Sequence, residues 1–147
     1  MPPTAKLRLL LLFAWLSFSA ALAHTLGERW LAASGNNPIV IQWNQLLDSQ
    51  ADRSTTYKLK QVNQFFNRHL RYGEDSEIWR NPDYWATPLE SMLLGRADCE
   101  DYAIAKYMTL KLLGVPTEQL RLIYVRARMG GANSPISQAH MVLGYYA

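Results

Sequence analysis

The sequence predicts an α+β fold, with N-terminal helices followed by an antiparallel sheet, and three observations carry that prediction. Helical periodicity dominates as far as Leu113, it gives way to alternation after Pro116, and the two alternating segments are separated only by a turn-rich connection. A chain of 147 residues with 49% hydrophobic and 18% charged residues suits a single globular domain and excludes a disordered or fibrous one.

The first 23 residues stand apart. Lys6 and Arg8 precede an apolar run over residues 9–22, which ends in the small-x-small site Ala21-Leu22-Ala23. This is the layout of a secretory signal peptide over residues 1–23, with cleavage before His24, and the run falls short of the roughly 20 residues that span a bilayer. Residues 24–147 are then the exported domain. Two of the charges behind the formal +3 lie in the leader, so the domain is near neutral, which argues against a nucleic-acid or anionic-membrane partner held by bulk charge. One cysteine excludes an intramolecular disulfide, and in an oxidising compartment a lone thiol calls for burial or a use.

Residues 24–47 read as two short helical pieces around the turn Gly35-Asn36-Asn37-Pro38. After Ser54-Thr55-Thr56 comes an amphipathic helix: Leu59, Val62, Phe66 and Leu70 form its apolar stripe, Lys58, Lys60, Arg68 and Arg71 lie off it, and Gly73 is its expected stop. Residues 72–96 contain Asn81-Pro82-Asp83, Thr87-Pro88 and Gly95 and cannot run as one helix. Their aromatics Trp79, Tyr84 and Trp85 suggest a structured loop that covers something, with Trp79 also readable as part of a satellite cluster beneath it.

Asp98 is a good N-cap for a helix over residues 99–113, which places Ala103, Tyr107, Leu110 and Leu113 on one face and stops at Gly114-Val115-Pro116. It should be the central buried helix. Residues 120–127 and 138–146 then read as neighbouring antiparallel strands; in the second, Ala139, Met141, Leu143 and Tyr145 alternate with His140, Val142, Gly144 and Tyr146. Gly130-Gly131 and Pro135 mark the connection. Because Ala147 follows that strand directly and a two-stranded hairpin is marginal, the expectation is a sheet that is incomplete at the C-terminus, in a natural domain with further strands.

The chemistry concentrates in Asp98-Cys99-Glu100-Asp101. A cysteine at the first position of a helix lies beside free N–H groups and the positive end of the helix dipole, which favour thiolate and create a nucleophile. The three acids have two readings. They can simply cap the helix and complement its dipole, or their mutual repulsion, which also opposes ionisation of Cys99, can be relieved by a hard cation, for which an all-oxygen set suits Ca²⁺ better than zinc. A thiolate nucleophile also needs an imidazole. His24 is at the new N-terminus and His69 reads as a surface residue beside Arg68, whereas His140 lies between apolar neighbours on a strand that the Cys99 helix could pack against.

At this point a likeness becomes visible. Tyr84-Trp85-Ala86-Thr87-Pro88-Leu89-Glu90, Gly95 followed by Asp98-Cys99-Glu100-Asp101-Tyr102-Ala103-Ile104-Ala105-Lys106-Tyr107, and Gln138-Ala139-His140-Met141-Val142-Leu143 resemble the bacterial transglutaminase-like cysteine proteinases, in particular the calcium-dependent periplasmic proteases of large adhesins. Val62-Asn63-x-Phe65-Phe66-Asn67 resembles that family's upstream helix. The resemblance implies a papain-like, transglutaminase-type core, with Cys99 as nucleophile, His140 as general base and acid, and Ca²⁺ held partly by Asp98, Glu100 and Asp101. It implies cleavage of the N-terminal region of a giant surface adhesin in the periplasm, dispersing biofilm, and sequestration of the protease by the periplasmic domain of a membrane receptor for cyclic di-GMP.

One departure stands out. The family completes its triad with an aspartate on the strand after the histidine strand; none of Asp48, Asp75 or Asp83 matches that position, and in a serine triad the comparable loss costs about 10⁴ in rate. Two alternatives therefore stand beside the peptidase: a non-catalytic calcium-responsive binding module, and a protein-glutamine acyltransferase in which an amine rather than water accepts the acyl group.

Overall fold

Helix α1, Pro38–Gln50, begins directly after the predicted turn, where the Asn37 carboxamide oxygen accepts the backbone N–H groups of Ile39 and Val40 at 2.9 and 3.2 Å and Pro38 occupies the first turn. The computed structural model describes residues 34–50, 52–128, 130, 131 and 133–147. The predicted leader, its cleavage site and His24 lie outside those residues, as does most of the earlier of the two N-terminal helical pieces. No helix among the described residues is long and apolar enough to cross a membrane.

Helix α2, Thr55–His69, buries Val62, Phe65 and Phe66, so the predicted stripe faces the core. It ends earlier than the sequence suggested. Leu70 is already extended, is buried, and its carbonyl accepts the Tyr102 hydroxyl at 2.5 Å; the two-residue strand β1, Arg71–Tyr72, then pairs in parallel with β2, Arg96–Ala97. Gly73 serves this close approach rather than a helix stop: a Cβ there would come within 2.5 Å of the Arg96 guanidinium, which is itself paired with Glu77 at 2.8 Å. Strands this short carry no alternation for a sequence to display.

The segment read as a covering loop contains two helices, α3, Asp75–Ile78, and α4, Pro88–Leu94. Thr87 and Glu90 form a capping box at the start of α4, and Gly95, at φ 65°, ends it. Trp79 stacks on Tyr84 with ring centroids 4.4 Å apart, the satellite cluster anticipated under this stretch.

Helix α5, Cys99–Leu112, is the centre of the molecule. Ala103, Ala105, Thr109 and Leu110 are buried along it, which is more than one face, because α2, α4 and the C-terminal sheet all pack on it. The core joins Val40 of α1, Val62 and Phe66 of α2, Met92 of α4, Leu110 of α5 and Leu120, with Leu143 and Tyr145 packed against it from the sheet. Burial of a side chain such as Phe66 contributes about 2 to 3 kcal/mol. A turn of 3₁₀-helix, Thr117–Gln119, leads into β3, Leu120–Arg128, which pairs antiparallel with β4, Ser137–Tyr145, as predicted. The register sets Tyr124 opposite Met141 and Val125 opposite His140.

Candidate active site

Asp98 shapes the start of α5. Its Oδ1 accepts the Asp101 N–H at 3.1 Å, closing the helix start so that Cys99 becomes its first residue. The strand β4 passes beside it, and the backbone N–H of Met141 favours the ionised form of Cys99. Met141 is buried, and its neighbour His140 lines the same two clefts as Cys99. The first cleft, of about 480 Å³, runs between α2, α5 and β4, past Asn63, Asn67 and Lys106. The second, of about 300 Å³, is acidic, with Asp75, Asp83, Asp98 and Glu100 in its wall. Cys99, His140 and Tyr72 line both, so the cysteine and the histidine stand where a largely apolar cleft meets an acidic pit.

The thiol itself departs from expectation. Its Sγ donates to Glu100 Oε2 at 2.8 Å, and its pKa is pushed up to about 11, chiefly by burial and by that bond, with the charges of Glu100 and Asp98 adding to them and the Met141 N–H opposing them. Burial, followed by the bond to Glu100 and the acidic run, raises the thiol pKa where the dipole argument alone had predicted a lowering. The physical reason is that burial strips water from the sulfur, while the carboxylates adjoin it in sequence and in space.

The acids gather more tightly than the motif alone requires. Ligand-capable atoms lie within 4.8 Å of one another in three groups: Asp98 with Cys99 and Glu100, Asp75 with Asp98 and Asp101, and Asp75 with Asp83 and Glu100. Burial pushes the Asp98 carboxyl up to about 7, against the Asp101 N–H that bonds it and with help from the charges of Asp101 and Glu100. Asp101, 1% exposed, is pushed up to about 6, again chiefly by burial, although the backbone groups of Ala86 and Asp98 hold it down. Asp75 Oδ1 and Asp101 Oδ2 are buried without a hydrogen-bond partner among the described residues. A set made wholly of carboxylates, two of them with an orphaned buried oxygen, fits a hard divalent cation such as Ca²⁺.

The fold brings the five residues singled out in the sequence, Cys99, His140, Asp98, Glu100 and Asp101, to the same two clefts or the acid groups beside them. Sequence reasoning missed Asp75 and Asp83 as members of the acid groups, and Tyr72, whose hydroxyl donates to Glu74 at 2.6 Å, a bond that together with burial drives its pKa upward. No local pattern marks these three; the one signal was that residues 72–96 had to fold over something. His69 is a tie between helices: its ring lies 4.3 Å from that of Phe65, and its nitrogens contact the Phe65 carbonyl and the Gln42 side chain.

Residues 39–143 match the family described as bacterial transglutaminase-like cysteine proteinase, BTLCP. The chain belongs to this family. Among solved structures it is similar to LapG of Legionella pneumophila, at 35% sequence identity and a TM-score of 0.65, covering 82% of this chain and 65% of LapG. Structures of LapG treated with EGTA and bound to calcium match at the same identity and TM-score, over 82% and 81% of this chain and 63% and 65% of theirs. The chain thus spans somewhat less than two thirds of the LapG chains. No curated protein is matched. The transglutaminase-like core anticipated from Asp98 to Tyr107 and from Gln138 to Leu143 is the fold that this family member adopts.

Proposed function

We propose that the protein is a calcium-dependent periplasmic cysteine endopeptidase, with Cys99 as nucleophile and His140 as general base and acid. The observation that carries this reading is the convergence of Cys99, at the first turn of α5, and His140, on β4, in the same two clefts. His140 takes the Cys99 proton, and the sulfur attacks a peptide carbonyl; free backbone N–H groups at the start of α5 stabilise the oxyanion. The C–N bond breaks as His140 gives the proton to the leaving amine. Water, deprotonated by His140, then hydrolyses the thioester and restores the thiol.

Asp98, Glu100 and Asp101 would hold the Ca²⁺, with Asp75 and Asp83 close enough to join them. Bound there, the ion supplies positive charge that offsets the carboxylates opposing ionisation of Cys99. The calcium-bound LapG structure supports this choice of metal. The substrate, the N-terminal region of a large surface adhesin cut to disperse biofilm, and the partner, the periplasmic domain of a membrane cyclic di-GMP receptor, follow from the family resemblance, and the leader-like residues 1–23 support export. Incubation of the full-length protein and its Cys99→Ala variant with the adhesin tests the reading: cleavage by the variant overturns it.

One observation favours a second reading. The thiol bonded to Glu100, with its raised pKa, suits a non-catalytic calcium-responsive module. Iodoacetamide labelling at pH 6 to 7 in Ca²⁺ separates the two, since a catalytic Cys99 reacts rapidly there and an inert one does not.

A further inference from the structure

Two carboxylates beneath the covering segment divide their oxygens in the same way. Asp75, at the start of α3, accepts the Tyr84 N–H on Oδ2 at 2.5 Å, while its Oδ1 is buried and unpartnered among the described residues. Asp101, in the first turn of α5, accepts the Ala86 N–H on Oδ1 at 2.7 Å, while its Oδ2 is buried and equally unpartnered. Both side chains are deeply buried, at 4% and 1% exposure, and both belong to one group of ligand atoms with Asp98. Asp75 belongs also to the group with Asp83 and Glu100, so a residue from outside the Asp98–Asp101 motif is shared by both acid groups.

The pattern has a physical logic. A buried carboxylate with one satisfied and one bare oxygen is an incomplete arrangement, and a cation at the bare oxygen completes it. The ion also holds the carboxylate charged and fixes its plane, which strengthens and aligns the bond from the other oxygen to a backbone N–H. The two amides so held flank Trp85, which is half-exposed, and the same segment contributes Pro82 and Asp83 to the cleft that holds Cys99 and His140.

We infer that Asp75 is a cation ligand outside the motif, and that Asp75 and Asp101 form a clamp that grips the cation with one oxygen each and the backbone at Tyr84 and Ala86 with the other, so that cation binding fixes one wall of the Cys99 cleft. This rests on the calcium reading above and deepens it. Asp75 is in this sense a ligand and a positioning residue, with no part in bond breaking.

The test uses the full-length protein stripped with EGTA, titrated with Ca²⁺ by calorimetry and followed by amide hydrogen exchange. Ca²⁺ should slow exchange at Tyr84 and Ala86 at least tenfold and change Trp85 fluorescence, and Asp75→Asn should weaken Ca²⁺ binding at least tenfold. Absence of Ca²⁺ heat from the wild type removes the calcium reading and the clamp together. Wild-type binding with undiminished binding by Asp75→Asn, or with unchanged exchange at the two amides, removes the clamp and leaves the calcium reading standing. The exchange experiment needs only the wild type, so it decides the clamp even if Asp75→Asn does not fold.

Discussion

The two ends of α5 meet the same demand in opposite ways. At the C-terminal end the polar groups are tied in: Thr109, fully buried, accepts the Trp43 indole N–H at 3.0 Å and donates to the Ala105 carbonyl at 2.7 Å, and Lys58 of α2 reaches the Leu113 carbonyl at 2.7 Å. At the N-terminal end, three carboxylates and a thiol crowd the first turn, Asp101 Oδ2 and the neighbouring Asp75 Oδ1 are buried without a partner among the described residues, and the pKa values of Asp98, Cys99 and Asp101 are all driven upward. One end is a structural joint, closed and satisfied. The other holds unresolved charge, which a protein tolerates where a ligand or a reaction uses it. The lesson is that the helix is anchored from its far end so that its near end can be left incomplete.

Breaking the N-terminal end should abolish chemistry and spare the fold. Cys99→Ala should lower peptidase activity of the full-length protein by at least about 10⁴-fold, as removal of a catalytic nucleophile does, with an unchanged melting temperature; kcat/KM and a thermal scan measure the two halves of that statement. Completing the same end should stabilise the protein. Ca²⁺ at about a hundred times its Kd should add about 2.7 kcal/mol, read as a rise in Tm that EGTA reverses, and no such rise is expected for a helix end that needs no ligand.

Breaking the C-terminal end should do the reverse. Thr109→Val keeps the volume but strands the Trp43 N–H, at a cost of about 1 to 3 kcal/mol in urea denaturation, while activity per folded molecule and iodoacetamide labelling of Cys99 stay unchanged. The smallest effect lies at the capping box of α4, which sharpens the comparison because it is an acidic helix start with its bonds made. Burial pulls the Glu90 carboxyl upward, but the Thr87 N–H and hydroxyl and the Tyr84 hydroxyl outweigh it and hold its pKa below the ordinary value. A folded-state pKa below the unfolded one means that this stability is complete above about pH 4.3 and is lost as pH falls through the folded value. Thr87→Ala should therefore cost about 1 kcal/mol at pH 7, and denaturation at pH 3 should show a smaller deficit.

Much of this was legible from the chain. The stripe Leu59, Val62, Phe66 and Leu70, the Asp98 cap and the alternation around Met141 are short-range patterns, because an apolar face and a cap are set by residues a few positions apart. The end of α2 was misplaced at Gly73 because the pull on Leu70 comes from the core and from Tyr102, 32 positions away, and the β1–β2 pairing was invisible because two residues make no period.

Sequence alone determined the helix-then-sheet order, the placement of a cysteine at a capped helix start, and the acidic company it keeps, since each follows from neighbours along the chain. Only the tertiary structure decided that His140 shares two clefts with that cysteine, that Asp75 joins Asp98 and Asp101, and that burial together with the neighbouring acids raises the thiol pKa. Those outcomes depend on distances between side chains that the chain brings together from different elements, and on burial, which removes the water that would otherwise screen one charge from the next.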